Sequence, residues 1–171
     1  ATGFGWAGPK LEQALNQATI RSALIRRILS MLFLPLFWRL GTKINYSTDD
    51  FYVEVPHSKI NRNSYGTVGG AALLANLELA AGSYLLMRTN GGHRMVCRNV
   101  TYRFMLPSTN GLHLEVSPLD GDLDEAIAKR KPFNTDCKVN VYSRGDKPGE
   151  RGRRIGRGEI RFHLWPVERP I

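Results

Sequence analysis

The sequence predicts an α+β domain in which an antiparallel sheet wraps around one long apolar helix. A Gly-rich turn, 66–70, leads into a helical stretch, 71–87, made almost entirely of small and large apolar residues. Two short strand patterns precede this stretch and about four follow it. A helix that is apolar on all sides must be buried on all sides, so the strands are expected to enclose it.

The N-terminal part, residues 1–40, is predicted to be a helical extension, and residues 41–171 are predicted to form the domain. Apolar residues recur at helical spacing through 10–34 with arginines between them: Leu11, Leu15, Ile20, Leu24, Ile28 and Met31. We interpret this stretch as a helix docked on the domain. A basic amphipathic helix lying on an anionic membrane is the alternative. The apolar run 31–38, broken by Pro35, is too short to span a bilayer.

Alternating apolar residues and turn signals place the strands of the predicted sheet. The predicted strands are two short ones within 42–55, then 95–104, 112–116, 135–142 and 155–165. A short helix is expected within 122–131, and 144–157 is expected to be a hairpin loop. With no internal repeat or linker, the chain is expected to form a single domain.

Composition indicates a folded protein, because 42% of the 171 residues are hydrophobic. The net charge of +9 favours anionic partners such as nucleotides, nucleic acid or lipid surfaces. Cys97 and Cys137 are far apart and do not indicate a disulfide framework. We therefore expect a reducing compartment, the cytoplasm.

Glu78 is the one ionisable residue in the apolar helix, and a buried glutamate is almost always paired or functional. Pairing with a lysine or arginine would be a purely structural role. The Gly-rich start of the helix has two equally good explanations: it serves the geometry of the chain, or its N–H groups near Gly70 stabilise an oxyanion. Glu78 lies about 12 Å further along the same helix, so only two antiparallel copies could bring Glu78 of one to Gly70 of the other. The spacing therefore predicts a two-fold dimer.

The pattern Asn63-x-x-Gly66-Thr67-Val68-x-Gly70, with an acid twelve residues after Gly66, resembles the hotdog-fold acyl-CoA thioesterases of the phenylacetyl-CoA thioesterase type. The strand-Pro-Gly segment, 100–111, is also similar to that family. The resemblance covers roughly 32–167.

The resemblance implies a hotdog domain that hydrolyses an acyl-CoA thioester in a site shared between subunits of a homodimer or a dimer of dimers. Glu78 would be the general base, or the nucleophile through a mixed anhydride. Gly70 would supply the oxyanion donor, and Asn63 would position water or the substrate carbonyl. The turn residues Gly66, Thr67, Val68 and Gly69 are expected to contact the substrate. No cofactor is expected, since coenzyme A is part of the substrate.

Two positions depart from the family pattern. The family's histidine is Gly69 in this chain, and a polar residue of the following strand is Met95. These departures favour an alternative on the same fold, a non-catalytic acyl-CoA or fatty-acyl binding protein.

Positive charge is concentrated in one segment near the C-terminus, which carries Arg144, Lys147, Arg151, Arg153, Arg154 and Arg157. A solvated hairpin tip explains it most simply. Alternatively, Arg151, Arg153 and Arg154 would clamp the phosphates of coenzyme A, since guanidinium groups favour bidentate phosphate contacts. Nucleic acid is not expected, because the segment lacks interleaved aromatic residues. The four histidines show no metal-ligand spacing, so no metal site is predicted.

Overall fold

The computed structural model describes residues 9–22, 24–25, 28, 35–47, 49–119 and 121–167. These residues form a six-stranded antiparallel sheet packed around one long central helix, with a helical N-terminal part, as predicted. The helices are α1 (Pro9–Arg21), α2 (Pro35–Leu40), α3 (Gly70–Arg88) and α4 (Leu123–Ala128). The strands are β1 (Lys43–Asn45), β2 (Tyr52–Val55), β3 (His93–Phe104), β4 (Leu112–Pro118), β5 (Phe133–Arg144) and β6 (Arg151–Pro166).

The six strands form one sheet in the order β1-β2-β4-β5-β6-β3, with every neighbouring pair antiparallel. β3 follows the central helix in sequence but lies at the edge of the sheet, beside β6. The inner face of the sheet carries the core, whose fully buried side chains include Val53, Val55, Leu112, Leu114, Val139, Val141, Ile160 and Leu164. The alternation of buried and exposed residues along β5 and β6 is that of strands covered on one face.

Helix α3 packs against the inner face of the sheet and contacts five of its strands, β2 to β6. Leu77 and Leu85 are completely buried, and each such burial stabilises the fold by about 1.5–3 kcal/mol. Gly158 on β6 permits this close approach, because a Cβ there would lie 2.5 Å from Leu77 Cδ2. The length and mean hydropathy of α3 would also suit a membrane span, but its packing makes it the core helix of the domain.

The expectation that α3 is buried on all sides is wrong for a single chain. Ala71 and Glu78 are exposed, and Leu74 is 39% exposed. These residues lie three and four positions apart, so they share one face of the helix. The sheet covers the other faces, and this one has no cover in the described part of the chain.

Helix α1 docks on the domain through polar contacts rather than through its apolar stripe. Glu12 is almost completely buried, and both of its carboxylate oxygens accept hydrogen bonds from Arg94 at the start of β3, one of them from Nε at 2.9 Å. Asn16 donates to the Gly91 carbonyl at 3.3 Å. Leu11, in contrast, remains half-exposed. Most of the predicted helix beyond residue 22 lies outside the described residues, and the domain boundary near residue 40 stays a prediction.

The predicted hairpin loop at 144–157 is wrong in its extent. β5 continues to Arg144 and β6 begins at Arg151, so the loop is only 145–150. Register shifts near Tyr142 allow the two strands to remain paired toward the tip. Most of the basic residues of this segment therefore lie on an extended strand with fixed directions instead of on a flexible loop.

Candidate active site

The turn that precedes α3 is held in place by a buried asparagine. Asn61 is 1% exposed, and its Nδ2 donates to the carbonyl oxygens of Leu40 and Pro56, both at 2.8 Å. The backbone carbonyl of Asn61 accepts a 2.7 Å hydrogen bond from the N–H of Gly69. These bonds connect the start of the helix to α2 and to the end of β2, so the position of the helix N-terminus is fixed by three parts of the chain.

Asn63 organises the turn itself. Its Oδ1 accepts hydrogen bonds from the N–H groups of Tyr65 and Thr67 at 3.0 and 3.1 Å, and its Nδ2 donates to Thr67 Oγ1 at 2.9 Å. Asparagine side chains form such turns readily. The amide is thus engaged within the turn, so a contact with water or substrate requires one of these bonds to be shared or exchanged.

Gly66 and His57 form a second contact within the same turn. Gly66 has a φ of +75°, which glycine adopts without strain. Its carbonyl lies 2.9 Å from His57 Nε2, and since a carbonyl can only accept, Nε2 carries the proton. His57 was not singled out from the sequence. Its position just after β2, six residues before Asn63, could have indicated that it lies near the turn.

A cleft of about 350 Å³ opens between this turn, the first residues of α3 and the segment that follows β3. Its lining combines apolar side chains with a few polar groups, as is usual for sites that bind small molecules. The lining residues are Asn63, Thr67, Val68, Gly70, Leu73, Phe104, Met105, Leu106, Pro107, Ser108 and Ile155. The structure thus brings four predicted site residues to one cleft: Asn63, Thr67, Val68 and Gly70. Gly66 and Gly69 shape the turn behind it.

The N-terminus of α3 forms one end of the cleft. Gly69, the residue that caps the helix, has no side chain to satisfy the first N–H groups. Within the described part of the chain, no acceptor is found for the N–H groups of Gly70 and Ala71. Free N–H groups at a helix N-terminus attract an oxyanion. Phe104 confines this point, because a Cβ on Gly70 would lie 3.5 Å from its ring.

Glu78 does not reach this cleft within one chain. It is exposed, and eight residues of helix separate it from Gly70, a distance of about 12 Å. Cys97 on β3 is its neighbour: burial raises the pKa of the Cys97 thiol, and the charge of Glu78 raises it further. The structure thus separates Glu78 from Gly70 along one helix, as the sequence predicts. The expected burial of Glu78 is not found in the single chain.

Met95 lies beside the later part of α3. Its Sδ would be 3.9 Å from a Cβ on Gly82, one helical turn beyond Glu78, and it does not line the cleft. A polar residue at position 95 would therefore not contact the helix N-terminus of the same chain.

The three arginines of the predicted phosphate clamp have different environments. Arg151 binds the carboxylate of Glu115 at 2.7 Å and lies over the ring of Tyr142. Arg153 is exposed. Arg154 lines a second groove, on the outer face of the sheet. The structure does not bring the three guanidinium groups together, because β6 is extended here and its side chains point in different directions.

No known family model matches the chain, and no curated protein matches it in sequence. Solved structures do match its fold. A candidate thioesterase of Shewanella oneidensis is 14% identical, with a TM-score of 0.68 over 82% of this chain and 94% of that one. A thioesterase family protein of Silicibacter pomeroyi is also 14% identical, with a TM-score of 0.64 over 88% and 98%. A thioesterase of Haemophilus influenzae is 11% identical, with a TM-score of 0.65 over 86% and 93%.

The chain therefore has the hotdog fold, and proteins described as thioesterases share it. Another protein with this fold, from Chlorobaculum tepidum, is of unknown function. The likeness shows the fold alone, so the function, the substrate and the reacting residues must be argued from the site of this chain.

Proposed function

We propose that the protein hydrolyses an acyl-CoA thioester in a site shared between two copies of the chain. The observation that carries this proposal is the separation of two functional groups along α3. The oxyanion-binding N–H groups lie at Gly70, in the cleft, and the only carboxylate on this helix, Glu78, lies about 12 Å away on an exposed face. A second, antiparallel copy of the helix would bring Glu78 of the partner subunit to the cleft.

The exposed surface around Glu78 supports such a dimer. Leu74 and Ala71 share its helix face, and Val100 and Phe104 are exposed on β3, the edge strand beside it, at 38% and 60%. A long edge strand such as β3 offers unpaired N–H and C=O groups to another chain. Two copies related by a two-fold axis would pair these strands, cover the apolar helix faces and place both sites at the interface.

The proposed reaction follows from the placement of charge. The thioester carbonyl oxygen accepts a hydrogen bond from the N–H of Gly70, where the helix dipole stabilises the negative charge that develops. Glu78 of the partner subunit removes a proton from water as the water oxygen bonds to the carbonyl carbon. The carbon–sulfur bond then breaks, and the thiolate takes up the proton to leave as coenzyme A. Alternatively, Glu78 attacks the carbonyl carbon directly, the carbon–sulfur bond breaks to release the coenzyme A thiolate, and water hydrolyses the resulting mixed anhydride in the same geometry.

A second function has one observation in its favour. The described residues that line the cleft include no carboxylate and no imidazole. Gly69 stands where the resembling family has histidine. A cleft whose described lining carries no titratable group would suit a non-catalytic acyl-CoA or fatty-acyl binding protein. The two functions differ in whether Glu78 reaches the bound thioester.

A panel of acyl-CoA substrates, with release of the thiol followed by a colorimetric reagent, tests the proposal. We expect hydrolysis, and we expect Glu78→Gln to lower kcat by about 10²–10⁴, the usual effect of removing a general base. Glu125→Gln is the matched control, because Glu125 is an exposed carboxylate on α4. Wild-type turnover by Glu78→Gln would assign the carboxylate a structural role. Binding without turnover in both proteins would establish the binding function instead.

A further inference from the structure

A second groove, of about 300 Å³, lies on the outer face of the sheet and is lined by arginines. β3 contributes Thr101 and Arg103, and β6 contributes Arg154, Arg157 and Glu159. Met105, which follows β3, completes the lining. The groove therefore places three guanidinium groups against one carboxylate on rigid, paired strands.

The charge arrangement in this groove opposes folding. Arg103 lies directly opposite Arg157 in the register of β3 and β6, and like charges at directly opposite positions are destabilising. Glu159 offsets part of the repulsion, since its Oε1 lies 3.3 Å from Arg157 Nη2. Within the described residues, neither Arg103 nor Arg154 has an ion-pair partner.

Two arginines that flank the groove along β6 are neutralised by carboxylates. Arg151 pairs with Glu115, and Arg161 pairs with Asp136 at 2.7 Å. The sequence therefore supplies carboxylates to basic residues on both sides of the groove but leaves the groove itself positive. A bound anion would relieve the repulsion that the fold retains.

We propose that Arg103, Arg154 and Arg157 bind phosphate groups of a nucleotide-bearing ligand, which, if the proposed function holds, are those of coenzyme A. Each guanidinium offers a planar set of N–H donors that matches phosphate oxygens. Three of them on two adjacent strands can contact more than one phosphate group. Thr101, which also lines the groove, adds a hydroxyl donor.

The groove adjoins the cleft that holds the oxyanion site. Met105 lines both, and Phe104, the residue after Arg103, lines the cleft together with Gly70. An extended ligand could therefore place its thioester at α3 and its phosphates in the groove by passing around the end of β3, at Met105. This assignment replaces the clamp expected from the sequence: Arg154 remains, Arg103 and Arg157 join it, and Arg151 is already engaged by Glu115.

Binding of adenosine 3′,5′-bisphosphate, measured by calorimetry, tests the groove without requiring hydrolysis. We expect the wild-type protein to bind, and we expect Arg103→Gln and Arg157→Gln each to weaken binding about tenfold, the loss of one charge-assisted contact. Arg161→Gln is the matched control: it removes the same charge from the same face of β6, where Asp136 already neutralises it. Absent binding, or equal weakening by the control, would overturn the proposal.

Two further probes distinguish the source of the phosphate. A short single-stranded RNA and vesicles containing anionic phospholipid should bind more weakly than the bisphosphate and be less sensitive to Arg103→Gln. Tighter, groove-dependent binding of either probe would overturn the assignment to a nucleotide-bearing ligand. Because these assays use no thioester, failure of hydrolysis leaves their result intact, and failure of binding leaves hydrolysis intact.

Thermal stability gives a second readout. Without ligand, Arg103→Gln should raise Tm by about 1–3 °C because it removes like-charge repulsion. With the bisphosphate at saturation, the wild-type protein should gain more in Tm than the variant. A lower Tm for the ligand-free variant would show that Arg103 stabilises the fold, and this would contradict the proposal.

Discussion

Gly70→Ala should make the protein more stable and less active, and these opposite effects can be worked from the structure. Gly70 is the first residue of α3, and alanine loses less backbone entropy than glycine on entering a helix. The added Cβ would lie 3.5 and 3.6 Å from two atoms of the Phe104 ring, an ordinary van der Waals contact. We therefore expect stabilisation of about 0.4–1 kcal/mol, or about 1–4 °C in Tm.

The same methyl group would occupy the space in which we place the thioester carbonyl. Gly70 and Phe104 both line the cleft, so a methyl group between them displaces the oxygen from the Gly70 N–H. Loss of one oxyanion donor lowers kcat by about 10²–10³ in enzymes that depend on it, and we expect a loss on this scale.

Thiol release and a thermal melt on the same samples provide the assay. Gly82→Ala is the control, because this substitution lies on the same helix and its Cβ would meet only Phe162 and Met95, at 3.8 Å or more. It should gain stability and keep its activity. If Gly70→Ala retains wild-type kcat, the helix N-terminus does not bind the oxyanion, and the proposed site is wrong.

Two further predictions concern stability. Arg94→Met should lower the free energy of unfolding in urea by about 3 kcal/mol, because it leaves the buried carboxylate of Glu12 without its partner. A change below about 0.5 kcal/mol would show that this ion pair does not hold α1 on the domain. Burial lowers the pKa of His113, against the partly opposing charge of Glu115, and burial also lowers the pKa of His93. The unfolded chain therefore binds protons more readily, so stability should fall as pH drops below about 6.5. Urea titrations between about pH 8 and pH 5.5 would show this slope, and His113→Phe should reduce it.

Much of the fold could be predicted because the pattern of α3 and the strands is local. The run from Gly70 to Arg88 and the alternation along β5 are visible in the residues themselves. The position of β3 at the sheet edge, away from its neighbours in sequence, depends on pairing between distant segments. The extent of the β5–β6 hairpin was missed because the glycines and arginines near its tip resemble loop composition, while the strand pairing extends through them.

The candidate site was predicted only in part, for a related reason. Asn63 and Gly70 belong to one continuous motif, and the structure places both at the cleft. Phe104 and Arg103 belong to no recognisable motif. They become part of the candidate site only because β3 ends beside the start of α3. The phosphate clamp was predicted from arginines close together in sequence, but adjacent side chains on a strand face opposite sides of the sheet. Arg103 joins Arg157 across two strands instead, which no local pattern shows.

Mixing two inactive variants tests the shared site most directly. Glu78→Gln removes the carboxylate, and Gly70→Ala blocks the oxyanion site. The two proteins are unfolded and refolded together in equal amounts. Half of the resulting dimers should then contain one copy of each variant. Each mixed dimer has one site with both substitutions and one site with neither, so about a quarter of wild-type activity should return. If activity stays at the sum of the two separate variants although mixed dimers have formed, Glu78 and Gly70 do not act together across subunits, and the account is contradicted.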